Sequence, residues 1–516
     1  MVKNNNKNSI INNKIESINN KYIKKDIFKS LEDNISYMKE LFNNDDTFIT
    51  RYFENNNNKN LQYCLIYCNG MVNSIIINEN IIKPLMVSKY NTSNEDIVSD
   101  LTEHVLMIDE VKITSKVKDI IENVTYGDTV LFINGTDKAI ILNTKQFESR
   151  SVIEPDAEKS LIGPREGFTE SILTNISLIR RRLRTNELKL KYLTIGEKTN
   201  TKVCICYVDS TVNKGVLEEL YKRISKIEID GILDTNYIAE LTRENRKSPF
   251  RTTGYTEKPD VIVSKILEGR IAILVDGSPM VHTIPYLFIE NFQNSEDYYV
   301  SYFYSSFTRI IRFLSFLLTT ALPAFYIALV AYHHEMLPSP FLIIITSERQ
   351  SVPLPAALEV AIMLVVFDIL RETGTRMPQV VGQSISVLGA IVIGQAAVEA
   401  GLVAAPTIIL VAFTGITGIL VQKLNSPIIY VRVILLLLAS MLGLFGFVIG
   451  LSLLIIHILN LKSCGVPQVN MHGEFKYQNG KDIIIRSPWW YMFKRPKVLS
   501  NNINRMKSLG DNSNDS

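Results

Sequence analysis

The polar residues with the most informative spacing lie in one apolar stretch, which reads Ser-Ile-Ser-Val-Leu-Gly-Ala-Ile-Val-Ile-Gly-Gln-Ala-Ala-Val-Glu. Five of its residues share one face at helical spacing: Ser384, Leu388, Ile391, Gln395 and Glu399. That face is polar at both ends and apolar in the middle. A ring of such helices would form a narrow pore with a hydrophobic constriction and an acidic mouth that favours cations. Ordinary helix packing in a membrane bundle, with Glu399 at the water interface, explains the pattern equally well.

Two further carboxylates, Glu359 and Asp368, interrupt apolar segments earlier in the chain. A charged group at membrane depth costs about 2.5–3.5 kcal/mol unless it faces protein or water. We therefore expect both residues to mark the interior of a helical assembly rather than its lipid-facing surface.

Motifs of catalysis are missing from the sequence. It has no Walker loop, no G-x-S-x-G elbow, no H-E-x-x-H and no dinucleotide fingerprint. Four cysteines lie in apolar, strand-like stretches without a nearby histidine: Cys64, Cys68, Cys204 and Cys206. This setting favours buried structural thiols over a zinc site, and the absence of a disulfide framework suits a reducing cytosol. We expect a protein that is not an enzyme and that holds no metal and no cofactor.

The overall composition hides an uneven distribution of charge. The 516 residues carry 55 Lys plus Arg and 52 Asp plus Glu, and the mean hydropathy is +0.11. This balance excludes a wholesale polyanion-binding composition, so no nucleic-acid partner is expected. Charges are almost absent between about Phe313 and Leu461. The pattern predicts a helical transmembrane domain over 309–461 and a basic tail over 462–516.

Two uncharged runs in this block, Phe313–Tyr332 and Val433–Ile456, are long enough to cross a hydrocarbon core of about 30 Å. Three shorter or more polar apolar segments lie between them: Pro353–Leu370, Val380–Val398 and Pro406–Val421. The sequence therefore predicts a polytopic domain with four to five membrane segments.

The positions of Lys and Arg predict the orientation of these segments. Arg309 and Arg312 precede the first span and the tail is basic, which places both flanks in the cytoplasm. Arg371 and Arg432 mark further cytoplasmic returns. Five full crossings would leave the tail outside. We therefore expect one segment to be re-entrant or interfacial, and Pro406–Val421 is the candidate because it is the shortest.

The region before the membrane block has the pattern of a mixed α/β protein that contains an internal repeat. The strand-like stretch Tyr63–Tyr67 resembles Val203–Tyr207, and Gly127–Gly135 resembles Gly269–Gly277. The two members of the second pair end in matching tight-turn signals, Asn134-Gly135 and Asp276-Gly277. We predict two similar cytoplasmic α/β subdomains, over 22–150 and 191–300, after a disordered Asn-rich tail over 1–21 with no visible signal peptide.

Residues 151–190 are predicted to link the two subdomains. They contain a short motif made of Pro164, Arg165, Glu166, Gly167 and Phe168. An amphipathic helix follows, with Arg180, Arg181 and Arg182 in its last turn. Two interpretations are open: a connecting helix with a solvated basic end, or a helix that contacts anionic lipid headgroups or the acidic surface of a partner.

Taken in order, five stretches resemble the A subunits of the GerA-type spore germination receptors. These stretches are Pro164–Phe168 with its following helix, Leu322–Leu329, Val352–Pro355, Ile369–Pro378 and Gly389–Val403. The resemblance covers nearly the whole chain beyond the Asn-rich start. This chain has Met363-Leu364 where the family commonly has Met-Glu, whereas Glu359 and Asp368 stand at family-like acidic positions.

The resemblance implies a component of a nutrient-responsive receptor in the spore inner membrane, acting with a transporter-like B subunit and a lipoprotein C subunit. It also implies a homo-oligomer that forms a ligand-gated monovalent cation channel in the lipid bilayer. By position, the pore lining would be Leu388, Ile391, Gln395, Val398 and Glu399, with a constriction near Ile391.

Two other classes of protein remain open at this stage. One is a secondary transporter with a regulatory cytosolic domain, which the segments broken by Gly and Pro allow. The other is a structural or accessory membrane protein of the germination machinery without a pore of its own.

Overall fold

The computed structural model describes residues 26–88, 97–146, 158, 162–376, 392–469, 482–496, 499–500 and 504–505. The chain divides into two compact units. An α/β unit comprises Met1–Thr242, Thr253–Pro285 and Arg495–Asn504, and a helical unit comprises Arg243–Thr252, Tyr286–Lys494 and Arg505–Ser516. The Asn-rich segment predicted to be disordered, 1–21, lies outside the described residues.

The first half of the α/β unit is built around a five-stranded antiparallel sheet in the order β1-β2-β4-β5-β3. Its strands are β1 Phe48–Glu54, β2 Gln62–Cys68, β3 Val111–Thr114, β4 Thr129–Ile133 and β5 Ala139–Leu142. Its helical stretches are α1 Leu31–Leu41, α2 (74–87), α3 (97–105) and α4 Val117–Tyr126. Apolar side chains on both faces of this sheet are buried under these helices.

The second half repeats this arrangement. Its sheet is antiparallel and has the order β6-β7-β9-β10-β8, the same connectivity as the first. The strands are β6 Leu188–Ile195, β7 Thr201–Val208, β8 Gly254–Thr256, β9 Ile271–Val275 and β10 Val281–Ile284. The helices are α5 Ile172–Arg182, α6 Lys214–Ile224, α7 Thr235–Leu241 and α8 Pro259–Leu267. Each element follows its counterpart at an offset of about 140 residues, the spacing of the repeated sequence patterns.

Equivalent polar side chains hold the first helix of each half in place. The N–H of Leu31 donates to Asn134 Oδ1 at 3.3 Å, and the N–H of Ile172 donates to Asp276 Oδ1 at 3.1 Å. The glycines that follow, Gly135 and Gly277, have φ values of 87° and 88°. The Asn-Gly and Asp-Gly turns therefore form the predicted tight turns and also fix a helix start.

Residues 151–190 are predicted from the sequence to be a linker, but within the described stretch 162–190 the chain is part of the second α/β subdomain. Ile172, Ile176 and Ile179 of α5 are buried in the core of the second sheet, together with Phe168. Strand β6 also begins within this segment, at Leu188. Helix α5 is the counterpart of α1, so the second repeat begins earlier than its strands suggest.

Six helical stretches lie within the described part of the helical unit. They are α9 Tyr302–Tyr332, α10 Ser339–Arg349, α11 Ala356–Arg376, α12 (392–399), α13 Ala405–Ile419 and α14 Asn425–Leu459. Among the described residues, two are long and apolar enough to cross a membrane by length and composition: Tyr302–Tyr332 and Gln422–Leu459. Short elements complete the unit: 3-10 turns at Phe288–Phe292, Ser295–Tyr298, His334–Met336, Gln422–Leu424 and Trp489–Tyr491, and strands β11 Lys462–Ser463 and β12 Val466–Pro467.

The long helix α14 is not one straight rod, because its backbone leaves the helical region at Gly443, where φ is 59° and ψ is −138°. Residues on the two sides of Gly443 then pack against each other. A Cβ added to Gly446 would lie 2.1 Å from the carbonyl oxygen of Leu438, and one added to Gly450 would lie 2.5 Å from a methyl group of Leu435. Residues eight to fifteen apart in a straight helix are about 12 to 22 Å apart. The arms 425–442 and 444–459 therefore form an antiparallel hairpin, and the predicted single crossing over Val433–Ile456 is corrected.

The two ends of the helical unit meet. Arg309, near the start of α9, donates from Nη1 to Asp482 Oδ1 at 2.6 Å, and Asp482 follows the hairpin in the chain. The entry and the exit of this unit therefore lie at the same end of it, which we call the base.

Candidate functional site

The predicted pore face falls only partly on described residues, since Ser384, Leu388 and Ile391 lie outside them. In α12, Gln395 Nε2 donates to Glu399 Oε1 at 2.9 Å, and both side chains are exposed. Val398 is half-buried. The opposite side of α12 packs on α13, where a Cβ added to Gly394 would lie 3.7 Å from Ile408. An amide and a carboxylate thus stand together on the outward surface of an otherwise apolar unit.

Glu359, the first of the predicted acidic residues, is fully buried in α11. Its Oε1 accepts a hydrogen bond at 2.7 Å from the N–H of Ala404, the residue that precedes α13. Its Oε2 lies 3.9 Å from Arg349 Nη2 at the end of α10, and no described residue hydrogen-bonds to it. Glu359 therefore joins α10, α11 and the turn that connects α12 to α13.

Two hydroxyl groups share this environment. Tyr326 of α9 has Thr407, Arg349 and Glu359 as its electrostatic neighbours. The hydroxyls of Tyr326 and Thr407 are buried, and neither has a hydrogen-bond partner of good geometry among the described residues. Helices α9, α10, α11 and α13 therefore bring polar groups together around Glu359 within the helical unit.

Asp368, the second predicted acidic residue, lies on the same helix as Glu359 and pairs with Arg432 of the first hairpin arm. Arg432 is buried, and Arg371 lies 3.5 Å from the other carboxylate oxygen of Asp368. Arg371 and Arg432, which the sequence suggested as markers of the cytoplasmic side, therefore make an ion-pair cluster inside the helical unit. This cluster ties α11 to the hairpin.

A third cluster lies at the base around Asp297, which is buried. Its oxygens accept hydrogen bonds from Arg309 Nε at 2.9 Å and from both Nη atoms of Arg312 at 2.9 Å. Burial raises the pKa of Asp297, but the hydrogen bonds and charges of Arg312 and Arg309 outweigh burial, so the pKa is below its ordinary value. The two arginines that the sequence suggested as markers of the cytoplasmic flank are thus engaged within the protein.

In the α/β unit, the motif that begins at Pro164 contacts the basic end of α5. The carboxylate of Glu166 accepts a hydrogen bond from Arg182 Nη2 at 2.6 Å and another from Arg181. Burial raises the pKa of Glu166, yet the hydrogen bonds from Arg181 and Arg182 lower it more, and the net pKa falls below the ordinary value. Phe168 and Gly167 are buried, whereas Arg165 is exposed. The motif therefore packs α5 onto its own subdomain.

Arg180 differs from its neighbours because it is fully buried. Its Nη2 donates to Thr47 Oγ1 at 2.7 Å and to the carboxylate of Asp45, both in the loop before β1. The expectation of a solvated basic end is wrong for this residue. Arg180 connects the second half of the α/β unit to the first.

All five cysteines of the chain are buried, and none forms a disulfide. Burial raises the pKa of Cys68 to about 11, which keeps this thiol protonated. Cys64, Cys68, Cys204 and Cys206 therefore pack as small apolar side chains in strands β2 and β7.

A family model, described as the Bacillus/Clostridium GerA spore germination protein, matches residues 36–498. The chain belongs to the GerA family. Among its relatives are the uncharacterized membrane protein YfkQ of Bacillus subtilis, 38% identical over 84% of this chain and 85% of the relative, and the spore germination protein KA of the same organism, 36% identical over 92% and 87%. The N-terminal domain of the A subunit of the Bacillus megaterium spore germinant receptor GerK3 aligns with a TM-score of 0.41 and 30% identity, over 51% of this chain and 98% of that one.

Several residues of this GerA-family chain that make its central contacts could not be singled out from the sequence. Arg349, Arg432, Tyr326 and Thr407 surround the two predicted carboxylates, and Asp45 receives Arg180. Tyr326 and Thr407 are polar residues within an apolar pattern, and Arg432 is marked only as a cytoplasmic return, but none of these signals identifies a partner. The partners are separated by 64 residues for Asp368 and Arg432 and by 135 residues for Asp45 and Arg180.

Proposed function

We propose that this GerA-family chain is the A subunit of a nutrient-responsive germination receptor in the spore inner membrane, and that several copies assemble into a monovalent cation channel. Its partners are a transporter-like B subunit and a lipoprotein C subunit. Family membership carries the receptor role, since relatives are named spore germination proteins. Channel activity is the more specific part of the proposal, and it is argued from the exposed polar residues of α12.

The observation that supports the channel is that the side chains of Gln395 and Glu399 are exposed on α12. A carboxylate that faces lipid is costly, by about 2.5–3.5 kcal/mol, whereas one that faces water or another subunit is not. Copies of the chain arranged around an axis would place Glu399 in an acidic ring that attracts cations. Val398 would then lie at the neighbouring apolar level of the pore, and Ile391, seven residues earlier in the sequence, is the proposed constriction.

The hairpin in α14 removes the topological conflict of the sequence. Its second arm supplies an additional return toward the base, so Pro406–Val421 need not be re-entrant for both flanks to lie in the cytoplasm. We assign the base, with Asp297 and Asp482, to the spore-core side because Lys and Arg collect in the tail that follows it.

Nutrient bound to a partner subunit would act by favouring one arrangement of the assembly. A ligand can shift such an equilibrium only through its different affinities for the closed and open states. In this mechanism opening widens the apolar level near Ile391 and Val398, and cations leave the spore core.

Conductance of the purified, reconstituted oligomer tests the proposal. We expect cation-selective currents that Glu399→Gln reduces and Glu348→Gln leaves unchanged, since Glu348 is an exposed carboxylate on a different helix, α10. In spores, Val398→Ala and Ile391→Ala should permit germination without nutrient. Absence of current from a folded oligomer, or equal currents from the two Gln variants, would favour a transporter or a structural accessory protein instead.

A further inference from the structure

The described part of the C-terminal tail carries two adjacent tryptophans that remain exposed. Trp489 and Trp490 begin a 3-10 turn and are 46% and 53% exposed. Their rings nevertheless contact the base of the helical unit. Trp490 packs edge-on against Tyr302 with ring centroids 5.9 Å apart, and Trp489 lies 6.0 Å from the ring of Tyr298.

Polar contacts fix this part of the tail on the start of α9. Asp482 pairs with the buried Arg309, and the N–H of Arg486 donates to Ser306 Oγ at 3.1 Å. The guanidinium of Arg486 donates to the carbonyl of Val300 at 2.9 Å. The tryptophans are therefore held at a defined level of α9.

Other large aromatic side chains are exposed at the same level. Phe303 is 72% exposed and Phe307 is 61% exposed, and Tyr304 is exposed between them. One to three turns further along α9, the exposed side chains become aliphatic: Ile310, Leu314 and Leu317. The polar 3-10 segment Ser295–Tyr298 precedes this level in the chain. Its Asp297 pairs with Arg309 and Arg312, which follow Phe307 on α9. The aromatic side chains thus stand where the surface changes from polar to apolar.

The geometry points to a lipid contact. We name Tyr302, Phe303, Tyr304, Phe307, Trp489 and Trp490 the aromatic band, and we propose that it lies in the headgroup layer of the bilayer and anchors the tail at the membrane surface. Trp and Tyr favour this layer because their rings are apolar and their N–H and O–H groups remain hydrated. Lipid is the occupant, rather than another protein, because the band continues directly into the exposed aliphatic surface of α9. The inference rests on the proposed residence of the chain in a membrane.

Intrinsic fluorescence provides a direct test, because Trp489 and Trp490 are the two tryptophans of the chain. The full-length protein is reconstituted into vesicles whose lipids carry bromine either near the headgroup or near the chain end. Acrylamide serves as the quencher in water. We expect shallow bromine to quench about twice as strongly as deep bromine, and acrylamide to quench weakly, since the headgroup layer holds these rings. The variants Trp489→Phe and Trp490→Phe each keep an aromatic ring and report one tryptophan at a time.

The outcomes separate the inference from the proposed function. Failure of the protein to float with vesicles would overturn both. Flotation with strong acrylamide quenching and no bromine effect would overturn the lipid contact alone, because the tail would then lie in water. Flotation with neither quencher effective would also overturn it, since the rings would be covered by protein. A stronger effect of deep bromine would place the tail inside the bilayer and contradict the headgroup position.

Discussion

The carboxylate of Glu359 accepts a hydrogen bond from the backbone N–H of Ala404 at 2.7 Å, although 45 residues separate them in the chain. Ala404 follows the candidate pore helix α12 and precedes α13. A buried side chain on one helix therefore holds the turn that follows the helix carrying Gln395 and Glu399. This contact links the predicted acidic interior to the predicted pore surface.

Removing the Glu359 carboxylate should loosen the turn after α12. Glu359→Ala leaves the N–H of Ala404 buried without an acceptor, which costs about 1–3 kcal/mol, whereas Glu359→Gln retains an acceptor oxygen. We expect Glu359→Ala to lower the thermal midpoint of the detergent-solubilised protein more than Glu359→Gln does. Glu348→Ala, at an exposed position, is the control. A Glu359→Ala protein as stable as this control would show that the contact is unimportant.

The pair of Asp368 and Arg432 should be more sensitive to the loss of one partner than to the loss of both. Asp368→Leu alone leaves a buried guanidinium without its carboxylate, at a cost of about 3–5 kcal/mol. The double variant Asp368→Leu with Arg432→Leu should recover much of this loss because no buried charge remains. Unfolding in detergent, measured as a double-mutant cycle, gives the coupling energy. Purely additive effects would contradict a direct interaction.

The hairpin in α14 predicts that Gly446 tolerates no side chain. A Cβ there would lie 2.1 Å from the carbonyl oxygen of Leu438, so Gly446→Ala must push the arms apart, at about 1–3 kcal/mol. Gly394→Ala is the matched control, since its Cβ would meet Ile408 at an ordinary 3.7 Å. Thermal melting of both variants checks the geometry. Equal stability of the two would mean that the arms do not pack closely at Gly446.

Arg180 should matter far more to the α/β unit than its neighbour Arg181. Arg180→Met leaves the buried Asp45 carboxylate without its ion-pair partner, which lowers the free energy of unfolding by about 3–5 kcal/mol. Arg181 is 31% exposed in its pair with Glu166, so Arg181→Met should cost at most about 1 kcal/mol. The thermal transition of the full chain, followed by circular dichroism, compares the two. The prediction fails if Arg181→Met is equally destabilising.

The lowered pKa of Asp297 predicts how acid affects the base. Because its folded-state pKa is below the unfolded value, its contribution to stability is complete above the unfolded pKa, about 3.9 for Asp. It is lost as the pH falls through the folded-state pKa. We expect Asp297→Asn to reduce stability at pH 7 and to flatten the decline below about pH 4. Asp230→Asn, at an exposed carboxylate, should reproduce the wild-type denaturant midpoints across this pH range. An unchanged acid profile in Asp297→Asn would contradict the assignment.

Features that depend on local pattern could be read from the sequence. The repeat is visible because short strands and Asn-Gly or Asp-Gly turns recur at a constant offset, and each turn forms at Gly135 and Gly277. Helix α5 follows from the spacing of Ile172, Ile176 and Ile179. The apolar runs and the burial of Glu359 follow from hydropathy, since a carboxylate in such a run needs partners.

The tertiary structure decided which residues meet, because partners distant in sequence leave no local pattern. Arg309 and Asp482 are 173 residues apart, and Arg180 and Asp45 are 135 apart. Hydropathy could not predict the hairpin in α14, because an apolar run of this length fits one membrane crossing as well as two packed arms. Only the positive φ of Gly443 and the contacts of Gly446 and Gly450 distinguish the two. Composition and periodicity thus determined the elements, and the ordered motifs carried the family resemblance, whereas close packing alone determined the chain reversal and the ion pairs.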